Sequence, residues 1–557
     1  MSGGARVPPD PELASSVEVP MESLHLNAPT RSKDLPMLST RLRQLAAAAL
    51  VLSASACAAS PDAVREVACR PDETMPKRQF RGTWIASVAN IDWPSRAGLP
   101  AADQQAELSA WLDDAVRMNR NAVILQVRPT ADAFWPSPFE PWSKYLTGTQ
   151  GGDPGYDPLA YAVAEAHRRN LELHAWFNPY RVAMDERVDA LAATHPARLH
   201  PDWIVRYGGK LYYNPGVPAA RAFVVDAILD AVGRYDIDGV HLDDYFYPYP
   251  VAGAAFDDAS AYAQYGAGLA TLADWRRDNV DRLVESLARR IKAAKPWVKF
   301  GVSPFAVWRN AATDPQGSQT SASVQTYDDL YADTRRWLRE RWIDYIVPQA
   351  YWARGFAPAD YDKVVSWWAN EARGRDVHLY IGQAAYKVGT SNQSPGWSDP
   401  DELSSHLAFN RTAPEVRGDV YFSAKDVRAD RLGATTRVNR TWYSRPALVP
   451  AMPALGGSAP PPARNLHAQR TPDGVRLRWK PRSNAATSYA IYRHEPGRQD
   501  MCSDHDARHL LATVRATEFV DIAARADRDY RYAVTALDRL WNESEPVDVT
   551  LPAARPH

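Results

Sequence analysis

Between residues 81 and 424, short apolar runs that end in polar residues alternate eight times with segments of helical period. The runs cover 82–87, 122–128, 171–177, 239–243, 299–304, 345–350, 378–383 and 419–423. Amphipathic stretches at 101–119, 158–170, 218–235, 274–295, 327–341 and 358–372 predict helices between them, with Asp157 as an N-cap and Pro158 in the first turn of the second. Parallel strands need long crossovers, so this alternation predicts an α/β fold, a closed (β/α)8 TIM barrel. A doubly wound open sheet is the competing arrangement, but no Gly-rich phosphate loop follows the first strand. Long segments leave the C-terminal ends of strands, at 129–156, 245–272, 305–326 and 384–401, whereas the connections at 168–170 and 236–238 are short. Chemistry is therefore expected at the C-terminal mouth.

Composition narrows the function classes. Lys+Arg at 65 against Asp+Glu at 66 excludes a basic nucleic-acid binder. Three cysteines make no disulfide framework and show no zinc spacing. Nineteen tryptophans suit either a large core or a sugar-binding surface.

Both ends of the chain differ from the middle. Arg41 and Arg43 precede an apolar run at 45–52, small residues at 53–56 and Cys57. This order predicts a lipoprotein signal over 37–57, with Cys57 lipidated and residues 1–36 an extension ahead of the natural start Met37. The expected location is the bacterial cell envelope, anchored by lipid on the periplasmic side of the outer membrane. At the other end, the barrel at 78–445 gives way to a proline-rich stretch at 446–463, which predicts an extended linker. Alternation at 475–479, 489–492 and 530–538 then predicts a small all-β immunoglobulin-like sandwich over 464–551. Its closing Trp541-Asn-Glu-Ser-Glu-Pro546 resembles the end of a fibronectin type III module, expected to be separable from catalysis.

Alternate side chains of a barrel strand face its interior, and the last ones reach the mouth. In the fourth strand His241 and Asp243 share that phase, and Asp244 sits at the rim. Two adjacent carboxylates repel unless one is protonated or paired, so packing explains them poorly. His174, Trp176 and Asn178 share a phase in the third strand; Gln126 and Arg128 come from the second, Gln349 and Tyr351 from the sixth, and Gln383 from the seventh. Amides, a guanidinium and rings at one mouth suit a polyhydroxylated ligand.

Several stretches carry a family resemblance. They are Phe80-Arg-Gly-Thr-Trp-Ile-Ala-Ser-Val88 with Asp92-Trp-Pro94, His174-Ala-Trp-Phe-Asn-Pro-Tyr-Arg181, Asp238-Gly-Val-His-Leu-Asp-Asp-Tyr-Phe-Tyr-Pro248, Gly301-Val-Ser-Pro-Phe-Ala-Val-Trp-Arg309, Tyr327-Asp-Asp-Leu-Tyr-Ala-Asp-Thr-Arg-Arg-Trp337 and Pro348-Gln-Ala-Tyr-Trp352. Over about residues 78–440 the chain resembles the glycosyl-hydrolase-like 10 family. The resemblance implies a barrel glycosidase, often with a lipoprotein signal, acting on peptidoglycan glycan strands that have lost their stem peptides. It adds Arg81, Arg181, Tyr245, Trp308, Arg309 and Trp352 to the substrate-binding candidates.

A glycosidase needs an acid and a second carboxylate, about 5–5.5 Å apart for retention and about 6.5–9.5 Å for inversion. Asp243 or Asp244 supplies one. The partner is expected after the fifth strand, with Asp329 favoured, then Asp328, then Asp314. The fourth strand is also similar to that of family 18 chitinases, but Tyr245 stands where those enzymes carry the catalytic Glu, which speaks against substrate-assisted catalysis in that form. Two other readings are a metal-dependent sugar hydrolase or deacetylase using His174, His241 and Asp243, and a non-catalytic glycan-binding lipoprotein. The leading reading needs no cofactor or metal, and its partners are a polysaccharide and, through the lipid, a membrane. Nothing in the sequence fixes an oligomeric state.

Overall fold

The computed structural model of the protein describes residues 72, 74–390, 394–495 and 506–554; the signal-like segment with Cys57 and the 1–36 extension lie outside the described residues. Eight strands form the barrel: β1 (Phe80–Ile85), β2 (Ala122–Arg128), β3 (Glu172–Phe177), β4 (Gly239–Leu242), β5 (Lys299–Val302), β6 (Tyr345–Ile346), β7 (His378–Ala384) and β8 (Val416–Phe422). Each pairs in parallel with its neighbours in sequence, and β1 closes the ring on β8. Helices cover the outside and side chains fill the inside, so most strands are buried along their whole length and read as continuous apolar runs. Two glycines make the interior possible. A Cβ on Gly239 would lie 2.6 Å from the His174 ring, and one on Gly301 would lie 2.1 Å from the Tyr345 ring.

The predicted helices form, one of them shortened. Asp157 caps Pro158–Arg168 by accepting the Ala160 N–H at 2.9 Å, as expected. The helix expected over 327–341 is confined to Thr334–Arg339, because Asp333 caps it and the preceding residues turn through Tyr331 at φ 52°. β6 is only two residues long: Pro348 offers no N–H to the ladder, which resumes as single bridges from Gln349 to Phe305 and Gly382. After β3 the chain builds a small antiparallel sheet from Arg181–Ala183, Ile204–Tyr207 and Lys210–Tyr213, which local alternation did not announce.

The C-terminal domain is a two-sheet sandwich of β9 (Arg464–Thr471), β10 (Gly474–Lys480), β11 (Ser488–His494), β12 (Leu510–Val514), β13 (Glu518–Asp521), β14 (Tyr530–Leu537) and β15 (Val547–Leu551). The sheets run β9-β10-β13 and β12-β11-β14-β15, a fibronectin type III-like arrangement. Val475, Leu477 and Trp479 point inward from β10, while Arg476, Arg478 and Lys480 point out. The four-stranded sheet is buried on both faces. Tyr489, Ile491, Tyr532 and Val534 face the sandwich core, and Ala490, Tyr492, Ala533 and Leu537 join one apolar cluster with Phe80, Trp84, Tyr345 and Tyr380 of the barrel.

The proline-rich stretch is therefore not a free spacer at its start. Leu448 and Val449 are fully buried, Leu448 N–H donates to Lys77 O, and Gln79 N–H donates to Leu448 O at 2.9 Å. The sandwich closes the N-terminal end of the barrel, so the module expected to be separable from catalysis packs directly against it. Apolar side chains in the linker and a sheet with two apolar faces leave it no other stable place.

Candidate active site

A chain of polar side chains runs up the barrel axis. Near the floor Glu172 accepts from Lys299, from Trp541 Nε1 and from His174 Nε2. Burial alone would raise the Glu172 carboxyl, but the Lys299 charge and His174 hold it down to about 2. An ionised Glu172 fixes the proton of His174 on Nε2, so His174 Nδ1 accepts the Tyr345 hydroxyl at 2.7 Å. The Tyr345 oxygen then accepts from His241 Nδ1 at 3.1 Å, which leaves His241 Nε2 to accept from Ser303 at 2.8 Å and from Trp84 Nε1 at 3.3 Å. Burial, with His174 beside it, pushes His241 well below its ordinary pKa and keeps it neutral. Both histidines, expected from the sequence to bind substrate, are wholly enclosed beneath the mouth. Their ring nitrogens already serve this chain, and the His174–His241–Asp243 metal set weighed from sequence is not assembled.

The mouth lies one strand step higher. Gln126 Nε2 donates to Asn178 Oδ1 at 2.6 Å, and Asn178 Nδ2 donates to Asp243 Oδ2. Asp243 Oδ1 accepts the Tyr245 N–H at 3.2 Å. Asp244 Oδ2 meets the Tyr249 hydroxyl, and the Gln349 amide lies against the same carboxyl while donating to Ser303 O at 2.8 Å. Burial and the Asp244 charge raise Asp243, and burial raises Asp244, with the Arg181 guanidinium opposing both shifts. Arg181 is fixed by Pro129 O and stacks on the Tyr245 ring at 5.0 Å. Tyr245, Tyr249, Phe305 and Trp352 form a continuous run of edge-to-face rings beside the pair, and Tyr351 packs near Tyr386 and Phe422. Trp176 is buried on the phase between His174 and Asn178, and its indole N–H has no protein partner among the described residues.

The structure thus gathers Gln126, Trp176, Asn178, Arg181, Asp243, Asp244, Tyr245, Gln349, Tyr351 and Trp352 at or just beneath the mouth. It does not gather the rest. Arg81 lies near the start of β1, at the opposite end, stacked on Tyr443 and donating to Arg445 O at 2.6 Å. Arg128 is fully buried and commits its guanidinium to Glu140 (Nε–Oε2 2.7 Å) and to the carbonyls of Asn178 and Pro179. Gln383 faces outward, donating to Asp419 and the Tyr361 hydroxyl and accepting from His406. Trp308 donates to Asp333 and stacks on Trp367.

The expected partner carboxylates are also engaged elsewhere. Arg309 holds both Asp314 (2.9 Å) and Asp328 (2.8 Å), so Arg309 and these two form one local ion cluster. Asp329 accepts its own loop's Gln325 N–H at 2.7 Å. The backbone N–H of Gln316 and the Arg309 guanidinium hold the Asp314 carboxyl down, whereas burial raises that of Asp329. Asp92 and Asp132 are each raised to about 6 by burial, but donors from their own loops or a neighbouring loop fill their oxygens. Sequence reading missed Tyr249 and Ser303. The aromatic run directly after the Asp pair was a usable signal for the first; only packing reveals the second.

A family model described as glycosyl hydrolase-like 10 matches residues 79–399. A relative named glycosyl hydrolase YngK, from Bacillus subtilis (strain 168), is 52% identical over 84% of this chain and 92% of its own length. Another, glycosyl hydrolase DigH from Escherichia coli (strain K12), is 39% identical over 62% of this chain and 82% of its own. Among solved structures, the glycoside hydrolase domain of PgaB (BpsB) from Bordetella bronchiseptica aligns with 66% of this chain and 99% of that one, at 12% identity and a TM-score of 0.44.

Proposed function

Because the chain belongs to the glycosyl hydrolase-like 10 family and is a glycoside hydrolase, we propose that it cleaves glycan strands of the bacterial cell envelope, namely peptidoglycan stripped of stem peptides. The observation that carries this reading is the buried Asp243–Asp244 pair, with both carboxyls raised, under a rim of Arg181, Gln349 and aromatic rings. Burial raises both carboxyls, the direction that a proton donor to a leaving glycosidic oxygen needs. Amides and rings suit the hydroxyls and apolar faces of sugars, and a strand without peptides would fit a mouth walled by aromatics. The export-signal order ending at Cys57 supports an envelope substrate and a lipid anchor. Digestion of peptide-free and peptide-bearing glycan strands, with mass analysis of the products, tests the proposal. Cleavage restricted to peptide-free strands is expected; no cleavage of either would overturn the substrate assignment.

A further inference from the structure

Arg128, Arg309 and Lys387 are all committed to protein groups. Arg128 serves Glu140 and two carbonyls, Arg309 serves Asp314 and Asp328, and Lys387 donates to Tyr351 O at 2.8 Å. Arg181 differs. Its backbone is pinned beside the mouth, since it pairs with Tyr212 in the small antiparallel sheet and the Tyr213 N–H donates to Tyr180 O at 2.8 Å. The residue is only 3% exposed, yet its side chain forms one hydrogen bond, from Nε to Pro129 O at 3.1 Å. The two terminal nitrogens have no partner among the described residues and are not sealed off. Asp243 and Asp244 feel the guanidinium charge, but their oxygens meet Asn178, the Tyr245 N–H and Tyr249 instead. The Tyr245 ring, 5.0 Å away, covers one face of the guanidinium. A guanidinium stacked on a ring and bonded through Nε still presents the edge formed by its terminal N–H groups, and that edge matches a carboxylate. A charge left nearly buried and unpaired is unfavourable, so the arrangement calls for an anionic group that arrives with the ligand. The adjacent pair does not fill this place: burial raises both carboxyls, so together they carry less negative charge than two ordinary aspartates.

In a peptidoglycan strand every second sugar carries a lactyl group, and the stem peptide is joined to its carboxyl as an amide. With the peptide present that group is neutral and bulky; with the peptide gone it is a small carboxylate. We propose that Arg181 is the specificity-determining residue that reads this difference, its two free terminal nitrogens binding the lactyl carboxylate that loss of the peptide exposes. The inference rests on the peptide-free glycan reading above and gives that reading a physical basis for refusing strands that still bear peptides. The substrate then comes from a reaction of the amidase class, in which water splits the lactyl–peptide amide into a carboxylate and an amine.

The test is calorimetric binding to the full chain carrying Asp244→Asn, which prevents turnover. The probes are a peptide-free tetrasaccharide of alternating N-acetylglucosamine and N-acetylmuramic acid, and the same sugar with its lactyl carboxylates capped as methylamides. The free form is expected to bind about tenfold or more tighter, the scale of one hydrogen bond between charged groups. Adding Arg181→Gln should collapse that preference to within about twofold. Arg181→Lys, which keeps the charge but loses the planar fork, should retain part of it. Equal binding of the two sugars would overturn the inference and leave the glycan reading in place, whereas binding of neither would overturn both. A preference that survives Arg181→Gln would place the carboxylate on another group and overturn the assignment. The comparison of the two sugars is made with Arg181 intact, so it stands even if Arg181→Gln does not fold, and Arg181→Lys then decides the assignment.

Discussion

Trp541, in the last connection of the sandwich, donates its indole N–H to Glu172 Oε1 at 2.7 Å, across 369 residues of sequence. Both groups are buried, and Glu172 is also the acceptor that ends the axial chain through His174, Tyr345 and His241. The sandwich therefore supplies part of the barrel floor. Arg539–Asp236 and the Lys77–Glu543 and Arg78–Glu543 pairs surround the same junction.

Removing that floor should be costly. A chain ending near Tyr443 exposes Phe80, Tyr345 and Tyr380 and strips Leu448 and Val449 from the core, so it is expected to aggregate or melt well below the full chain. Trp541→Phe keeps most of the ring but leaves Glu172 short of one donor, and should lose about 1.5–3 kcal/mol in denaturant unfolding. A truncated barrel that melts like the full chain would show the junction to be incidental.

Asp243→Asn and Asp244→Asn should each reduce kcat by at least about a hundredfold, the scale of lost acid–base assistance, with melting temperature preserved or raised. Full activity in both variants would remove the pair from the mechanism. Steady-state assays on peptide-free glycan strands, with circular dichroism as the folding check, decide this.

Asp329→Asn is expected to keep kcat within about tenfold of wild type, because its carboxylate serves a loop N–H. Asp328→Asn should do the same while loosening the Arg309 cluster. A loss as deep as that of Asp244→Asn would return the second carboxylate to this loop.

Stability should fall as pH rises through neutrality. The Asp243 and Asp244 carboxyls are raised above their unfolded values, so the native state binds more protons than the unfolded one between the two values, and the slope of unfolding free energy with pH is negative there. Their favourable contribution is present at low pH relative to high and is lost as the pair ionises. Thermal melts from pH 5 to 9 should show this decline in the wild type and a flatter profile in Asp243→Asn.

Breaking the enclosed Arg128–Glu140 pair by Glu140→Gln should cost about 3–5 kcal/mol, because it strands a buried guanidinium. Since Arg128 also holds the carbonyls of Asn178 and Pro179, activity should fall with stability rather than independently of it. Urea unfolding and residual kcat measured on the same preparations check both.

The barrel was legible from the sequence because eight buried parallel strands need apolar runs and crossovers need helical period; seven of the strand positions are met within about three residues, and β6 alone is cut short by Pro348. The Asp243–Asp244 pair was legible because two adjacent carboxyls at a strand end have no packing explanation. Strand phase also placed Gln126, Asn178 and Gln349 toward the interior, but phase gives direction and not height along the axis. His174 and His241 share that phase with the mouth residues yet lie beneath it, enclosed by Tyr345, Ser303 and Glu172, and Arg81 proved to sit at the opposite end. The loop carboxylates Asp314, Asp328 and Asp329 fitted a motif, but only the fold shows that Arg309 and the Gln325 N–H already hold them. The docking of the sandwich was equally hidden. Alternation along β11 and β14 reports an inner face, whereas the second apolar face is satisfied only by residues hundreds of positions away, brought to the barrel floor when the chain is folded.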